Sequence, residues 1–413
     1  MLEIDEAQAR IMAAFSPLPA EKRALADALG HYLTGDVAAK HDAPPFSNSA
    51  MDGYAVRAAE VAGATEETPV TLPVVGESRA GGPMPPPLAV GTTTRILTGA
   101  PLPDGADAIV MQEDTTRDGD TLTIRFASPP RHHVRAQGED IRAGDVLLED
   151  GTRVGPGAIG LLASQGHAEV AVHRRPRVAI VSTGDELRGI DEAPRPGTIV
   201  DSNRYALAAQ IAEAGGEPVA LPPAPDDLDA ISELLEEALT CDMVVTTGGV
   251  SVGDHDHVRE AFERVGIEAD FWKIRIKPGK PVTFGRRGNV PVIGLPGNPV
   301  SAMVTFQVFA RPGIRHMLGD PAPYPLGREV PLGHDHRRKA GRPELARGKL
   351  RTTDDGLVVD LYPRQGSGAM PSVARADVLA LLPAERDTLT AGEGVLTLPF
   401  APAPGGEVSP FGK

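Results

Sequence analysis

Between Phe271 and Val300 the chain carries no Asp or Glu and six Lys or Arg, although 56 of its 413 residues are acidic. Composition alone would place roughly four acids in a window of that length. Inside it, the run Phe271-Trp272-Lys273-Ile274-Arg275-Ile276-Lys277-Pro278-Gly279-Lys280 alternates. The alternation predicts a strand with Lys273, Arg275 and Lys277 on one face and Trp272, Ile274 and Ile276 on the other. Like charges side by side repel unless solvent or an anion neutralises them. On a chain of formal charge -15, this is where an anionic ligand belongs.

Three further stretches have the makings of oxyanion loops: Ser182-Thr183-Gly184-Asp185-Glu186, Thr246 to Asp254, and Leu295-Pro296-Gly297-Asn298-Pro299-Val300-Ser301. Each follows an apolar run and combines turn-forming Gly or Pro with small hydroxyl residues and free amides, which suits phosphate. Glycine is also needed wherever a chain reverses tightly, so each loop alone is equally well explained as structure. None ends in the Gly-Lys-Ser/Thr of a phosphate-binding P-loop, and no dinucleotide fingerprint follows the first strand. Several such loops on one predicted rim, beside an acid-free basic strand, point to an anion-binding cleft.

The acidic counterpart is Asp185-Glu186, Asp226-Asp227 and Asp254-His255-Asp256-His257. Carboxylates beside a phosphate repel it unless a divalent cation bridges them. Helix capping accounts for Asp226 and Asp256 as readily, because each begins a predicted helix. The His/Asp run lacks a third zinc ligand at a familiar spacing, so His255 and His257 read as surface or cap residues. No protein nucleophile motif is present, so a reaction here would be metal-assisted and run by positioning.

Parallel α/β elements must hold these loops. Arg177 to Ser182, Pro218 to Leu221, Asp242 to Thr247 and Val290 to Leu295 read as strands. Asn203 to Ala214, Asp227 to Leu239, Asp256 to Val265 and Val300 to Leu318 read as the helices between and after them. Alternation of this kind implies a parallel sheet with helices on both faces. Before it, Ile4 to Phe15 and Ala20 to Leu29 read as helices, and Pro44 to Glu149 as an all-β module with strands at Thr92 to Leu97, Ala108 to Gln112 and Thr121 to Phe126. A short helix falls near Pro156 to Gln165. Beyond Asp320, short strands at Gly356 to Leu361, Val378 to Leu382 and Gly394 to Leu398 form a small β domain. The Pro-rich stretch Ala80 to Pro87 suits a tight inter-strand loop or a polyproline ligand.

The totals narrow the function classes. A pI near 5.2 argues against general nucleic-acid binding and against an anionic membrane surface. A single cysteine, Cys241, excludes an internal disulfide and a thiolate zinc cluster. The N-terminus lacks the basic and apolar regions of a signal peptide, and no stretch reaches membrane-spanning length, so a cytoplasmic protein is expected.

Taken in order, Ser49-Ala50-Met51-Asp52-Gly53-Tyr54-Ala55, Arg95 to Pro101, Gly138-Glu139-Asp140-Ile141, Ser182 to Leu187, Thr247 to Asp256, Lys277-Pro278-Gly279-Lys280-Pro281 and Leu295 to Ser301 resemble the molybdopterin molybdenumtransferases, the MoeA and gephyrin E-domain family. The motifs span about Pro44 to Ser301; the region after Asp320 is placed by position only. The resemblance implies an elongated homodimer of four-domain subunits. These are a discontinuous helical domain (1–43 and 145–173), a β module (44–144), a doubly wound, mainly parallel α/β domain (174–319) and a C-terminal small β barrel (320–413). It implies a reaction in which adenylylated molybdopterin and molybdate give molybdenum cofactor and AMP with Mg²⁺, in a cleft shared between subunits. The preceding molybdopterin adenylyltransferase becomes an expected partner.

Glu186, Asp226 and Asp256 would then hold metal or position water, with Asp227 an alternative to Asp226. Asp52 and Asp140, which from spacing alone are turn residues, would complete the site across the dimer, and Lys273 and Lys277 would act at the reacting anions. Substrate contacts are expected at Thr98, Thr183, Gly184, Asp185, Gly248, Gly249, Ser251, Gly253, Lys280, Pro296, Gly297, Asn298, Pro299 and Ser301. The rivals are the adenylyltransferase of the preceding step, which usually lacks flanking β modules, a nucleotide-hydrolysing relative, and a scaffold without activity.

Overall fold

The structure, a computed structural model, describes residues 1–249 and 257–401. The chain divides into two compact units. One comprises Met1–Thr34, Gly151–Gly155 and Glu169–Lys413; the other comprises Gly35–Asp150 and Pro156–Ala168.

The first unit is organised by a six-stranded sheet. Its strands run in the order Glu217–Ala220, Arg177–Ser182, Met243–Thr247, Val290–Leu295, Thr283–Arg287, Glu268–Phe271. The first four are parallel, and the last two return antiparallel as a hairpin edge. The three inner parallel strands are largely continuous apolar runs because both their faces are covered, whereas Glu217–Ala220 is a mostly exposed edge. Val178, Ile180, Met243, Val245 and Ile293 pack against Leu207 and Ile211 of the Ser202–Ala214 helix. On the opposite face Ala179, Val181 and Val244 meet Ile231 and Leu235 of the Leu228–Ala238 helix and Phe262 of His257–Arg264. Each large side chain so buried contributes about 1.5–3 kcal/mol, which anchors the sheet that carries the loops. The Ser202–Ala214 helix is capped by Asp201, whose carboxylate accepts from the Arg204 amide, and stopped by left-handed Gly215.

The expected helix at Val300 to Leu318 is present as three consecutive pieces, Pro299–Thr305, a π turn at Phe306–Ala310, and Arg311–Met317. Pro312 has no amide hydrogen to give the preceding turn, which fits a widened turn just before it. Ile4–Met12 is helical as expected and buries Ala7 and Ile11.

Two expectations require correction. The segment from Ala20 is not a helix: Ala20–Ala24 is a strand paired antiparallel with Glu169–His173, followed by a 3₁₀ turn at Leu25–Asp27. Its Ala, Glu, Lys and Arg favour helix, but local propensity is weak and partners from far along the chain override it. The alternating Phe271–Lys280 run is not one strand either. Regular structure stops at Phe271, and only isolated bridges at Ile274 (to Leu2) and Lys277 (to Glu344) continue it. Ile274 and Ile276 are nevertheless fully buried, so the inward alternation survives without the ladder.

The C-terminal part is a five-stranded antiparallel sheet ordered Arg328–Pro331, Gly394–Pro399, Val378–Leu382, Glu344–Thr353, Gly356–Leu361. A bridge between Leu332 and Val359 joins its two edges, giving a small, nearly closed barrel. In the second unit a mixed six-stranded sheet places Gly53–Val56 between Ala108–Met111 and Thr93–Ile96. That strand is buried on both faces: Tyr54 and Val56 enter one core with Leu72 and Ile124, and Ala55 enters another with Ile96 and Ile109. Among the described residues, no helix is long and apolar enough to cross a membrane.

Candidate active site

Parallel pairing in register brings three strand ends to one rim: Ser182 lies opposite Thr247, and Thr247 opposite Leu295. The loops leaving them are tied together. The Thr183 amide donates to Thr247 O (3.1 Å), and the Thr247 hydroxyl donates to Pro296 O (3.3 Å). Asn203 Nδ2, from the Ser202–Ala214 helix, donates to both Thr247 Oγ1 and Gly297 O at 2.8 Å. Gly248 sits at φ 92°, and a Cβ there would be driven into Thr183 O, so the turn admits only glycine. Thr183, Gly184, Gly248, Gly249, Pro296 and Gly297 therefore lie on one rim, with Asn298, Pro299 and Ser301 leading into the next helix.

Several buried polar atoms at this rim have no partner among the described residues: Ser182 Oγ, Thr183 Oγ1, Thr246 Oγ1 and Asn203 Oδ1. An unpaired buried donor or acceptor costs about 1–3 kcal/mol, so a concentration of them marks a place where a polar ligand or water completes the bonding. Asn203 was not among the residues singled out from sequence; its signal would have been an amide side chain one residue inside a capped helix.

The acids sit at the outer end of the same rim. Asp185 and Glu186 are exposed; the Asp185 carboxylate accepts from the Asp226 amide (3.0 Å), and the Glu186 carboxylate lies over Gly184. Asp227, not Asp226, caps the following helix by accepting from Ala230 N (2.9 Å). Asp226 is exposed, and its carboxylate has no hydrogen-bond partner among the described residues. Ser251, Gly253, Asp254, His255 and Asp256 lie outside the described residues. Among those described, no group of three His, Cys, Asp or Glu could by itself hold a metal ion.

The basic segment is partnered more than its sequence suggests. Lys277 Nζ lies 3.0 and 3.1 Å from the two carboxylate oxygens of Glu344, and Arg275 pairs with Glu3 at 3.1 Å. Lys273 is half-buried and Lys280 exposed; neither forms an ion pair among the described residues. Near Glu344 on the same strand, Arg347 is fully buried without a carboxylate bound to it. It donates to Ser372 Oγ and Gly366 O, its Nη1 is unpartnered, and burial pulls its pKa down to about 10. Neither Glu344 nor Arg347 was recognisable beforehand, since charged residues inside an alternating strand read as solvent-facing.

In the second unit Asp52 is exposed, and both the amide (2.7 Å) and hydroxyl (2.8 Å) of Thr98 donate to its Oδ1. These bonds, the amide first, hold the Asp52 carboxyl below the usual aspartate range. Two separate motifs thus meet. Asp140 is exposed, its amide donating to Ala43 O (3.1 Å).

Comparison with known proteins accounts for most of the chain. Residues 2–166 match the MoeA N-terminal region (domain I and II), 179–316 a probable molybdopterin binding domain, and 329–400 the MoeA C-terminal region (domain IV). Among similar proteins, the molybdopterin molybdenumtransferase of Haemophilus influenzae is 36% identical over 405 residues, covering 97% of this chain and 99% of that one. Molybdopterin molybdenumtransferase 2 of Mycobacterium tuberculosis is 41% identical over 332 residues, 79% and 82% of the two chains. A solved molybdopterin biosynthesis MoeA protein of Pyrococcus horikoshii superposes with a TM-score of 0.85 at 32% identity, covering 97% of this chain and 99% of its own.

Proposed function

Since the chain belongs to the MoeA family of molybdopterin molybdenumtransferases, we propose that the rim formed by Thr183–Glu186, Gly248–Gly249 and Pro296–Ser301 is where adenylylated molybdopterin and molybdate react. The protein acts in molybdenum cofactor biosynthesis, inserting molybdate into molybdopterin. The observation that carries the site assignment is the in-register convergence of three glycine or proline loops around buried hydroxyls that have no partner among the described residues.

The reaction breaks the phosphoanhydride between pterin phosphate and AMP, with water as the attacking group. Such a step is governed by positioning and charge stabilisation and needs no protein nucleophile. Backbone amides at Gly248, Gly249 and Gly297, with the Thr183 and Ser251 hydroxyls, would hold phosphate and pterin oxygens, while Gly184, whose amide donates to Ala224 O, would shape the turn beside them. Thr98, Asp185, Gly253, Asn298 and Ser301 would complete the substrate contacts, and Pro296 and Pro299 shape the floor. Lys273, Lys277 and Lys280 offset the charge of phosphate and molybdate.

Glu186, Asp226 and Asp256 are hard oxygen donors, the chemistry Mg²⁺ prefers when one or two carboxylates, waters and substrate phosphate share it. Bound there, the cation would neutralise charge developing on the phosphoanhydride oxygens.

We further propose a cytoplasmic homodimer of four-domain subunits, in which Asp52 and Asp140 from the second copy complete the site. The preceding adenylyltransferase delivers the substrate. Purified protein given adenylylated molybdopterin, molybdate and Mg²⁺ should release AMP and form cofactor. Formation of adenylylated pterin from ATP instead would reassign it to the earlier step. Mixing inactive Asp52→Ala and Glu186→Ala chains should restore part of the activity; mixed dimers without activity would sink the shared site.

A further inference from the structure

We infer that Glu344, in the C-terminal barrel, is a positioning residue for Lys277: it orients that ammonium for the substrate oxyanion. The inference rests on the anion-contact role proposed above for Lys277. Glu344 opens the barrel's longest strand, Glu344–Thr353, and its side chain is only 1% exposed. A carboxylate so far from water is tolerated only when well paired. Glu344 meets Lys277 through both oxygens, and Arg338 Nε lies 3.0 Å away as an ionic neighbour whose N–H is not aligned for a hydrogen bond.

The two cations differ. Arg338 is 2% exposed, and its other nitrogens donate to the carbonyls of Leu382, Pro383 and Arg342. Lys277 is 38% exposed. The trio carries one positive charge in excess, and Lys277 is the member that can present it to a ligand. Backbone bonds fix the pair further: Lys277 N donates to Pro343 O (2.9 Å), Leu345 N to Lys277 O (2.8 Å), and Arg342 Nη1 to Ile276 O (2.9 Å). A lysine held this way arrives at the anion already ordered, whereas a free one would lose its rotamer freedom on binding.

The test is a double-mutant cycle on the full-length protein, reading kcat and KM for molybdate and for adenylylated molybdopterin, with Tm alongside. Glu344→Gln removes the charge. Glu344→Asp keeps a counter-charge beside buried Arg338 while withdrawing it by one methylene, and serves if the first variant does not fold. Both should raise about tenfold the KM of whichever substrate Lys277→Ala affects, with kcat little changed. In the Lys277→Ala background they should add nothing further. If Lys277→Ala raises a KM while the Glu344 variants leave it, lower it, or act additively, Glu344 only supports the fold and the inference is overturned. If Lys277→Ala itself moves neither KM, the proposed role of Lys277 fails first.

Discussion

The glycine-loop rim and the basic segment after Phe271 both look like anion sites in the sequence, but they are built on different principles. The rim is assembled by neighbours: adjacent parallel strands end together, and one helix residue, Asn203, ties two of the loops. The basic segment is assembled at long range, Arg275 answered by Glu3 and Lys277 by Glu344. Charges that seem unbalanced along the chain are therefore partly balanced in space, and of the segment's six cations Lys273, Lys280 and Arg286 stand without an ion pair among the described residues. A cluster of cations locates a site; the carboxylates folded against it set how each cation is held, Arg275 matched by Glu3 and Lys277 sharing Glu344 with Arg338 so that one positive charge is left over.

The sharpest contrast comes from acids at the rim. Glu186→Ala should lower AMP release by at least roughly a hundredfold with Tm unchanged, because its carboxylate is exposed and makes no side-chain hydrogen bond or ion pair among the described residues. Normal turnover would remove the rim from the chemistry. Next, Gly248→Ala should destabilise the protein by about 1–3 kcal/mol in denaturant unfolding, since a side chain there combines a left-handed backbone with a collision against Thr183 O. Unchanged stability would show the loops are not clamped together.

In the basic segment, Lys273→Ala and Lys280→Ala should raise substrate KM several-fold, about 1 kcal/mol each, while leaving Tm alone. Arg275→Ala should do the reverse. Its pair with Glu3 is surface-exposed, so it shifts stability by about 0–1 kcal/mol and KM not at all. An equal KM effect from all three would erase the distinction between Arg275, matched by Glu3, and the two lysines without an ion pair among the described residues.

The smallest effect is a control outside both regions. Thr98→Val should raise the Asp52 pKa toward the ordinary aspartate range, followed by carboxyl-carbon NMR titration. Asp52 is depressed in the native protein, so its ionised form persists as pH falls, and whatever it contributes is lost only at the folded value. Without the Thr98 hydroxyl that loss should begin at higher pH; an unmoved titration would assign the depression to the Thr98 amide alone.

What was legible follows the same division. Arg177–Ser182 and Val290–Leu295 are strands at the expected residues, and Gly215 ends its helix as read, because continuous apolar runs and a glycine cap are local signals. The cap of the Leu228–Ala238 helix was read at Asp226 and is Asp227, one residue on, a shift that only a hydrogen bond reveals. Ala20–Ala24 was missed because its partner lies far along the chain and its own residues favour helix; Glu344–Thr353 pairs with the neighbouring Gly356–Leu361, but its charged residues read as surface. Asn203, Glu344 and Arg347 escaped notice because a buried polar group is indistinguishable from an exposed one until its surroundings are known.

The pairing of Ala20–Ala24 with Glu169–His173 also bears on synthesis. The ribosome emits the first of these segments roughly 145 residues before the second. At translation speeds of about 5–20 residues per second, the early strand waits about 7–30 s with its backbone unclaimed. For this chain, the first β segment to be made stays unhoused until residue 173 has emerged, and a chaperone or a slow stretch of message near residue 169 would act on that interval.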